Sequence, residues 1–211
     1  YGTVTIENIT VKNCEISGNN KVAGILAHDG VMSSLKIDNC HVLDSKISSS
    51  NSEDGGNVGG LVGLFQGVAR STTNNNPSYG VHIIKNSSVK NTVIDAINST
   101  NTGKRSNGEF VACIAGKDNQ TLEIKDCIVE NNTFTQNEGV TYVSPYGVFV
   151  GGDRYDDRKG TVIVDGVVMT DWFSTNRGLG HNALAMRAGN DLIMPGGGSY
   201  KKEILAGVKS I

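Results

Sequence analysis

The chain has 211 residues, of which 27 are glycine and only 3 proline, and its 19 Lys and Arg against 21 Asp and Glu leave a formal charge of −2. With no Gly-X-Y period and little proline it is not collagen-like, and so small a charge gives no electrostatic case for binding nucleic acid or an anionic membrane surface. No apolar run approaches the roughly 20 residues of a membrane-spanning helix.

Glycine at well above its usual share of about 7%, with Asn, Ser and Thr in place of charged residues, is the composition of turns and stacked strands. The start at Tyr1, without Met or a signal-peptide pattern, is what a fragment or a processed product shows.

In chain order, the first feature is a repeated unit at residues 4–16, 35–47, 82–94 and 122–134. Aligning Ile6, Ile37, Ile84 and Ile124 brings Asn8, Asn39, Asn86 and Asp126 together. The same alignment superposes Val11, Val42, Val89 and Val129, then Asn13, Asp44, Asn91 and Asn131. Ile16, Ile47, Ile94 and Phe134 close the unit. The pattern predicts two short strands with a corner between them. A glycine-marked apolar run follows each unit, at residues 22–27, 58–63, 111–116 and 146–151, and predicts a third strand. The units are spaced by 31, 47 and 40 residues, so loops of variable length absorb the difference.

Three strands per turn with Asn and Gly corners predict a mainly β fold, a right-handed parallel β-helix of about four to five coils. Asn tolerates left-handed backbone at corners, and Gly adopts it at no steric cost. An antiparallel sandwich of the same short strands is the alternative arrangement. The run Gly59-Gly60-Leu61-Val62-Gly63, with Lys36-Ile37-Asp38-Asn39-Cys40, resembles the GLUG-type repeats of bacterial surface proteins. That resemblance covers about residues 1–152 and concerns architecture more than function.

From about residue 160 the character changes, dividing the chain into a repeat region at 1–160 and a segment at 161–211. Gly166-Val167-Val168-Met169-Thr170-Asp171-Trp172-Phe173 is followed by an alanine-rich stretch ending Ala188-Gly189-Asn190-Asp191-Leu192-Ile193-Met194-Pro195. The pair, in this order and spacing, resembles the barrel domain of glycoside hydrolase family 3, the β-glucosidase-type enzymes. The resemblance implies a short α/β tail of strand, helix, strand and helix. It also implies that Asp171 is the nucleophile of a retaining cleavage of β-glycosidic bonds, with Trp172 offering a face for a sugar ring. Such chemistry needs a second, protonated carboxyl about 5–5.5 Å away, and no residue here is assignable to that role. A whole barrel takes about 250 residues, so an incomplete and inactive isolated chain is expected. Residues 160–173 also fit the repeat as a fifth rung, with Ile163 placed 39 residues after Ile124 and Asp171 at a corner.

The remaining chemistry-bearing residues are sparse. Cys14, Cys40, Cys113 and Cys127 show no zinc spacing and read as small stack or corner residues. His28, His41, His82 and His181 are scattered. The charged run at residues 153–159 reads as a solvated loop. Lys12, Lys46, Lys90 and Glu130 fall at related positions without forming a consistent acid or base set, against a lyase or hydrolase site on the helix itself. No metal or cofactor is expected. The functional expectation is a family 3-like glycosidase acting on a carbohydrate partner, with no nucleic-acid partner. The alternative is a non-catalytic, adhesin-like or carbohydrate-contacting solenoid, extracellular or at the cell surface.

Overall fold

A computed structural model of the chain describes residues 3–29, 34–49, 56–65, 81–97, 107–114, 121–136, 146–153, 161–165 and 167–169. Among the described residues every regular element is a strand, and there is no helix.

The strands recur in sets of five. The first rung is β1 (Thr3–Glu7), β2 (Thr10–Lys12), β3 (Glu15–Gly18), β4 (Lys21–Ala23) and β5 (Leu26–His28). The second is β6 (Ser34–Asp38), β7 (His41–Leu43), β8 (Lys46–Ser49), β9 (Asn57–Gly59) and β10 (Val62–Phe65). The third is β11 (Val81–Lys85), β12 (Ser88–Lys90), β13 (Val93–Ala96), β14 (Asn107–Gly108) and β15 (Val111–Ile114). The fourth is β16 (Thr121–Lys125), β17 (Ile128–Glu130), β18 (Thr133–Gln136), β19 (Tyr146–Gly147) and β20 (Val150–Asp153). β21 (Thr161–Val164) and β22 (Val167–Met169) follow. Equivalent strands of successive rungs pair in parallel, giving five sheets, as in a β-helix-like solenoid.

The expected register holds. Ile6 pairs with Ile37, Ile37 with Ile84, and Ile84 with Ile124. The number of strands per rung differs from the expectation of three. Both Asn/Asp columns are corners, so the unit that reads as two strands is three. Asn8, Asn13, Asn39, Asp44, Asn86, Asn91, Asp126 and Asn131 all have positive φ, between 49° and 59°. Asn and Asp are the residues other than glycine that visit this left-handed region readily. Backbone bonds cross the corners as well: the N–H groups of Asn8, Asn39 and Asn86 donate to the carbonyls of Asp38, Lys85 and Lys125.

The glycine-marked run is likewise two strands joined by a tight bend. A Cβ on Gly59 would collide with the Val62 carbonyl, and one on Gly60 with the Glu109 carbonyl of the next rung. Glycine here permits close backbone approach, both within the bend and between rungs.

The core runs along the axis of the stack. Ile37, Ile84 and Ile124 form one column, Val42 and Val89 a second, and Ile47 and Ile94 a third, all with no exposure. Burying each such side chain contributes about 1.5–3 kcal/mol. The equivalent residues of the first rung, Ile6, Val11 and Ile16, are only half-buried, as are Val129 and Phe134 of the fourth. Each rung completes its burial with its neighbours, so the end rungs bury least.

The last strands depart from the fifth-rung expectation. Ile124 pairs with Val164, not Ile163, so the strand is shifted by one residue. Because Thr161-Val162-Ile163-Val164 is apolar at three successive positions, its alternation does not reveal its phase. Asp165, which ends the strand, has a φ of 45°, and its Oδ1 accepts the Asp126 N–H at 2.8 Å. Beyond it the chain does not turn into a second side of the rung. β22 folds back antiparallel on β21, pairing Val164 with Val167 and Val162 with Met169. Two residues, Asp165 and Gly166, separate the paired Val164 and Val167, and Asp-Gly is a preferred pair for a two-residue hairpin.

Candidate functional site

One polar constellation among the described residues lies on the outer side of the corner between the first two strands of the rungs. The register stacks His41 on Ser88, because each lies four residues after an aligned isoleucine, Ile37 or Ile84. His41 Nδ1 lies 2.8 Å from Ser88 Oγ, and His41 Nε2 lies 2.9 Å from Asn39 Oδ1. Asn39 donates its own amide N–H to Asn8 Oδ1 at 2.8 Å. The Asn39 oxygen can only accept, so in the neutral ring Nε2 carries the proton and Nδ1 accepts from the Ser88 hydroxyl.

A serine, a base and a group orienting that base satisfy the local geometry of an activated nucleophile. Burial argues against use of it. Ser88 is only 5% exposed and is flanked in its column by His41 and Ile128, so its oxygen is covered. The arrangement acts as a polar tie between the second and third rungs. Scattered spacing along the chain hid it, although the repeat alignment contained the signal.

A second cluster centres on Asp38. Asn86 donates to its Oδ1 at 2.9 Å, and the ammonium groups of Lys36 and Lys85 lie 3.1 and 3.3 Å from its Oδ2. The Asn86 hydrogen bond and then Lys36, with a smaller effect of Lys85, lower its pKa to about 2 against the opposing effect of desolvation. All its partners are ligated within the stack, so the carboxylate is a structural acceptor rather than a proton donor or nucleophile poised for neutral pH.

The lysines singled out in the sequence serve the same end. Lys90 pairs with Glu130 at 3.2 Å, Lys12 with Asp44 at 3.5 Å, and Lys46 with Glu15 at 3.4 Å. Each pair links adjacent rungs. Exposed pairs of this kind contribute about 0–1 kcal/mol.

Three cysteines occupy the residue just after a left-handed corner, a position that Ser45, Ser87 and Thr92 hold at other corners. The Cys14, Cys40 and Cys127 sulfurs lie 3.2–3.4 Å from the carbonyl two residues earlier. Ser45, Ser87 and Thr92 make the same contact with their hydroxyls. Cys40 and Cys127 share a column but have Ser87 between them, so they cannot bridge neighbouring rungs. Burial raises the Cys127 thiol to about 11, the opposite of a nucleophilic cysteine. Among the described residues no group of three or more His, Cys, Asp or Glu could hold a metal ion.

Asp171 and Trp172 lie outside the described residues, as do His181, the rest of the segment to residue 211, and most of the charged run at 153–159. The strand that the family 3 resemblance places before Asp171 is described. It is β22, antiparallel to its neighbour β21, whereas the strands of a (β/α)₈ barrel are parallel. Comparison of the chain with family models, with curated proteins and with solved structures found no match in any of the three.

Proposed function

We propose that the chain is a non-catalytic β-solenoid module, a right-handed parallel β-helix of four coils and the beginning of a fifth. It works as an adhesin-like spacer or carbohydrate-contacting surface outside the cell or on its surface. The observation that carries this reading is the unbroken register of five parallel sheets through four rungs. The right hand follows from the strong preference of parallel strand connections within one sheet. Side chains on the outer faces are spent on inter-rung ties: Asn to Asn, Asn to Asp, His to Ser and Lys to Glu. A scaffold needs that stiffness, and a catalytic cleft needs groups left available to substrate.

The test is a glycan-array screen of the full chain. Binding to a defined class of glycan supports the carbohydrate-contacting form of the proposal. An array without hits leaves the spacer form and removes the ligand.

The tail motif around Asp171 favours a second reading, descent of residues 165–211 from a family 3 glycoside hydrolase. On this reading the tail is a short α/β segment, Asp171 is the former nucleophile and Trp172 the former sugar-stacking face. The isolated chain is inactive, since it is too short to hold both the repeat and a whole barrel. Turnover of an aryl β-glucoside that disappears in Asp171→Asn would overturn the non-catalytic proposal.

A further inference from the structure

The inner face of the first sheet carries a column of Val4, Leu35, His82 and Leu122. Three of these four are aliphatic, and the third rung places an imidazole among them. His82 is only 1% exposed. Its Nδ1 accepts the backbone N–H of Leu35 at 3.1 Å. Backbone pairing of β6 with β11 is recorded from Lys36 and Ile83 onward, so this side-chain bond extends the tie between the two rungs by one residue. The ring meets Phe65 edge to face, with centroids 4.7 Å apart at 83°. Its Nε2 is buried and has no hydrogen-bond partner among the described residues.

The bond to Leu35 fixes the protonation state. A backbone N–H can only donate, so Nδ1 must carry the lone pair and Nε2 the proton. A second proton would set two donors against each other at Nδ1 and place a cation among aliphatic neighbours.

The surrounding charges do not relieve that cost. Lys36 and Asp38 on β6, Lys85 on its own strand, and Glu123 and Lys125 on β16 all alternate with inward residues and occupy the outer face. β10, which carries Phe65, has no titratable residue. His28 on β5 pairs in register with Leu64 and is exposed, and Asp29 donates its N–H to the Leu64 carbonyl. Neither hydrogen-bonds the His82 ring, whose only polar contact among the described residues is Leu35.

We propose that His82 is an acid-sensitive latch: its neutral ring locks the second rung to the third, and protonation opens the stack between them. Burial supports this by lowering the His82 pKa from 6.5 to about 4. A base whose pKa is depressed on folding favours the folded state fully above its unfolded value. That contribution falls as pH drops from 6.5 and is exhausted once pH passes below about 4. A shift of this size corresponds to as much as a roughly 300-fold fall in the folding constant across the window.

The experiment is urea unfolding of the full chain at a series of pH values, comparing the native protein with His82→Leu, the residue that Leu35 and Leu122 place in the same column. The native protein should lose stability between pH 6.5 and 4, and the variant should lack that portion of the loss. Histidine NMR titration of the native protein tests the latch even if the variant fails to fold. His82 should titrate near 4, and protection of the Leu35 amide from hydrogen exchange should fall with it. Titration of His82 near 6.5, or parallel loss of stability in both proteins, would overturn the proposal.

Discussion

Asn8 and Asn39, 31 residues apart in sequence, occupy the same left-handed corner of successive rungs, with φ of 59° and 52°, and are joined side chain to side chain at 2.8 Å. One residue type thus performs two tasks, turning the chain within a rung and tying that rung to the next. Asn39→Ala removes both, and should lower stability by about 1–3 kcal/mol in denaturant unfolding. Asn39→Gly keeps the backbone freedom and loses only the side-chain bonds, so it should be the milder change. Equal losses would show that corner conformation is not what the asparagine provides.

Gly59 supports the tight bend between β9 and β10. Its substitution by Ala drives a methyl group into the Val62 carbonyl, and the position is fully buried in the stack. The expected loss lies at or above the upper end of the 1–3 kcal/mol typical of overpacking, read as a lower midpoint in urea. A near-neutral effect would mean that the bend is wider than described.

Thiol labelling should be strongly graded. Cys14 is exposed, Cys40 is fully buried, and the Cys127 thiol is raised to about 11 by burial. Since the thiolate is the reactive form, Cys127 should label slowly at neutral pH. Mass spectrometry after brief exposure to iodoacetamide should find Cys14 modified first, and Cys40 only after unfolding. Rapid modification of Cys40 would contradict its place inside the stack.

Asp38 should leave its mark at lower pH than His82. A carboxyl whose pKa is depressed on folding favours the folded state fully above the unfolded value of 3.8. That contribution is lost as pH falls through about 2. Asp38→Asn should therefore flatten the stability profile between about pH 4 and 2 while leaving the window above pH 4 unchanged. A flattening confined to pH 4–6.5 would assign that dependence wrongly.

Much of the fold is legible in the repeat, because inward Ile and Val columns and Asn/Asp corners are set by local preference and recur at each rung. Alignment on Ile6, Ile37, Ile84 and Ile124 yields the true inter-rung register across unequal loops. Two features escape it for physical reasons. Asn13 and its equivalents are left-handed corners too, yet an Asn in a polar sequence does not announce its φ, so the pattern predicts one corner per unit where there are two. The stretch Thr161-Val162-Ile163-Val164 is apolar at three successive positions, and only the pairing of Val164 with Ile124 shows that Val164 is the buried one. The candidate site was less legible still. His41, Ser88 and Asn39 meet only once the strands are stacked, and His82 looks like any scattered histidine until its column is known. Asp171 and Trp172 carry a chemical motif in the sequence, but they lie beyond the described residues.

The central claim is that rungs stack in parallel with this register, and a designed cross-link tests it most directly. Leu43 and Lys90 are direct partners on adjacent rungs, both partly exposed. Neighbouring strands lie about 4.8 Å apart, within reach of a disulfide. In a Cys14→Ser background, the pair Leu43→Cys and Lys90→Cys should oxidise to an intramolecular bond detected by mass spectrometry of the native protein. A pair that stays reduced under native conditions, as in an antiparallel sandwich that sets these strands apart, would contradict the stacked solenoid.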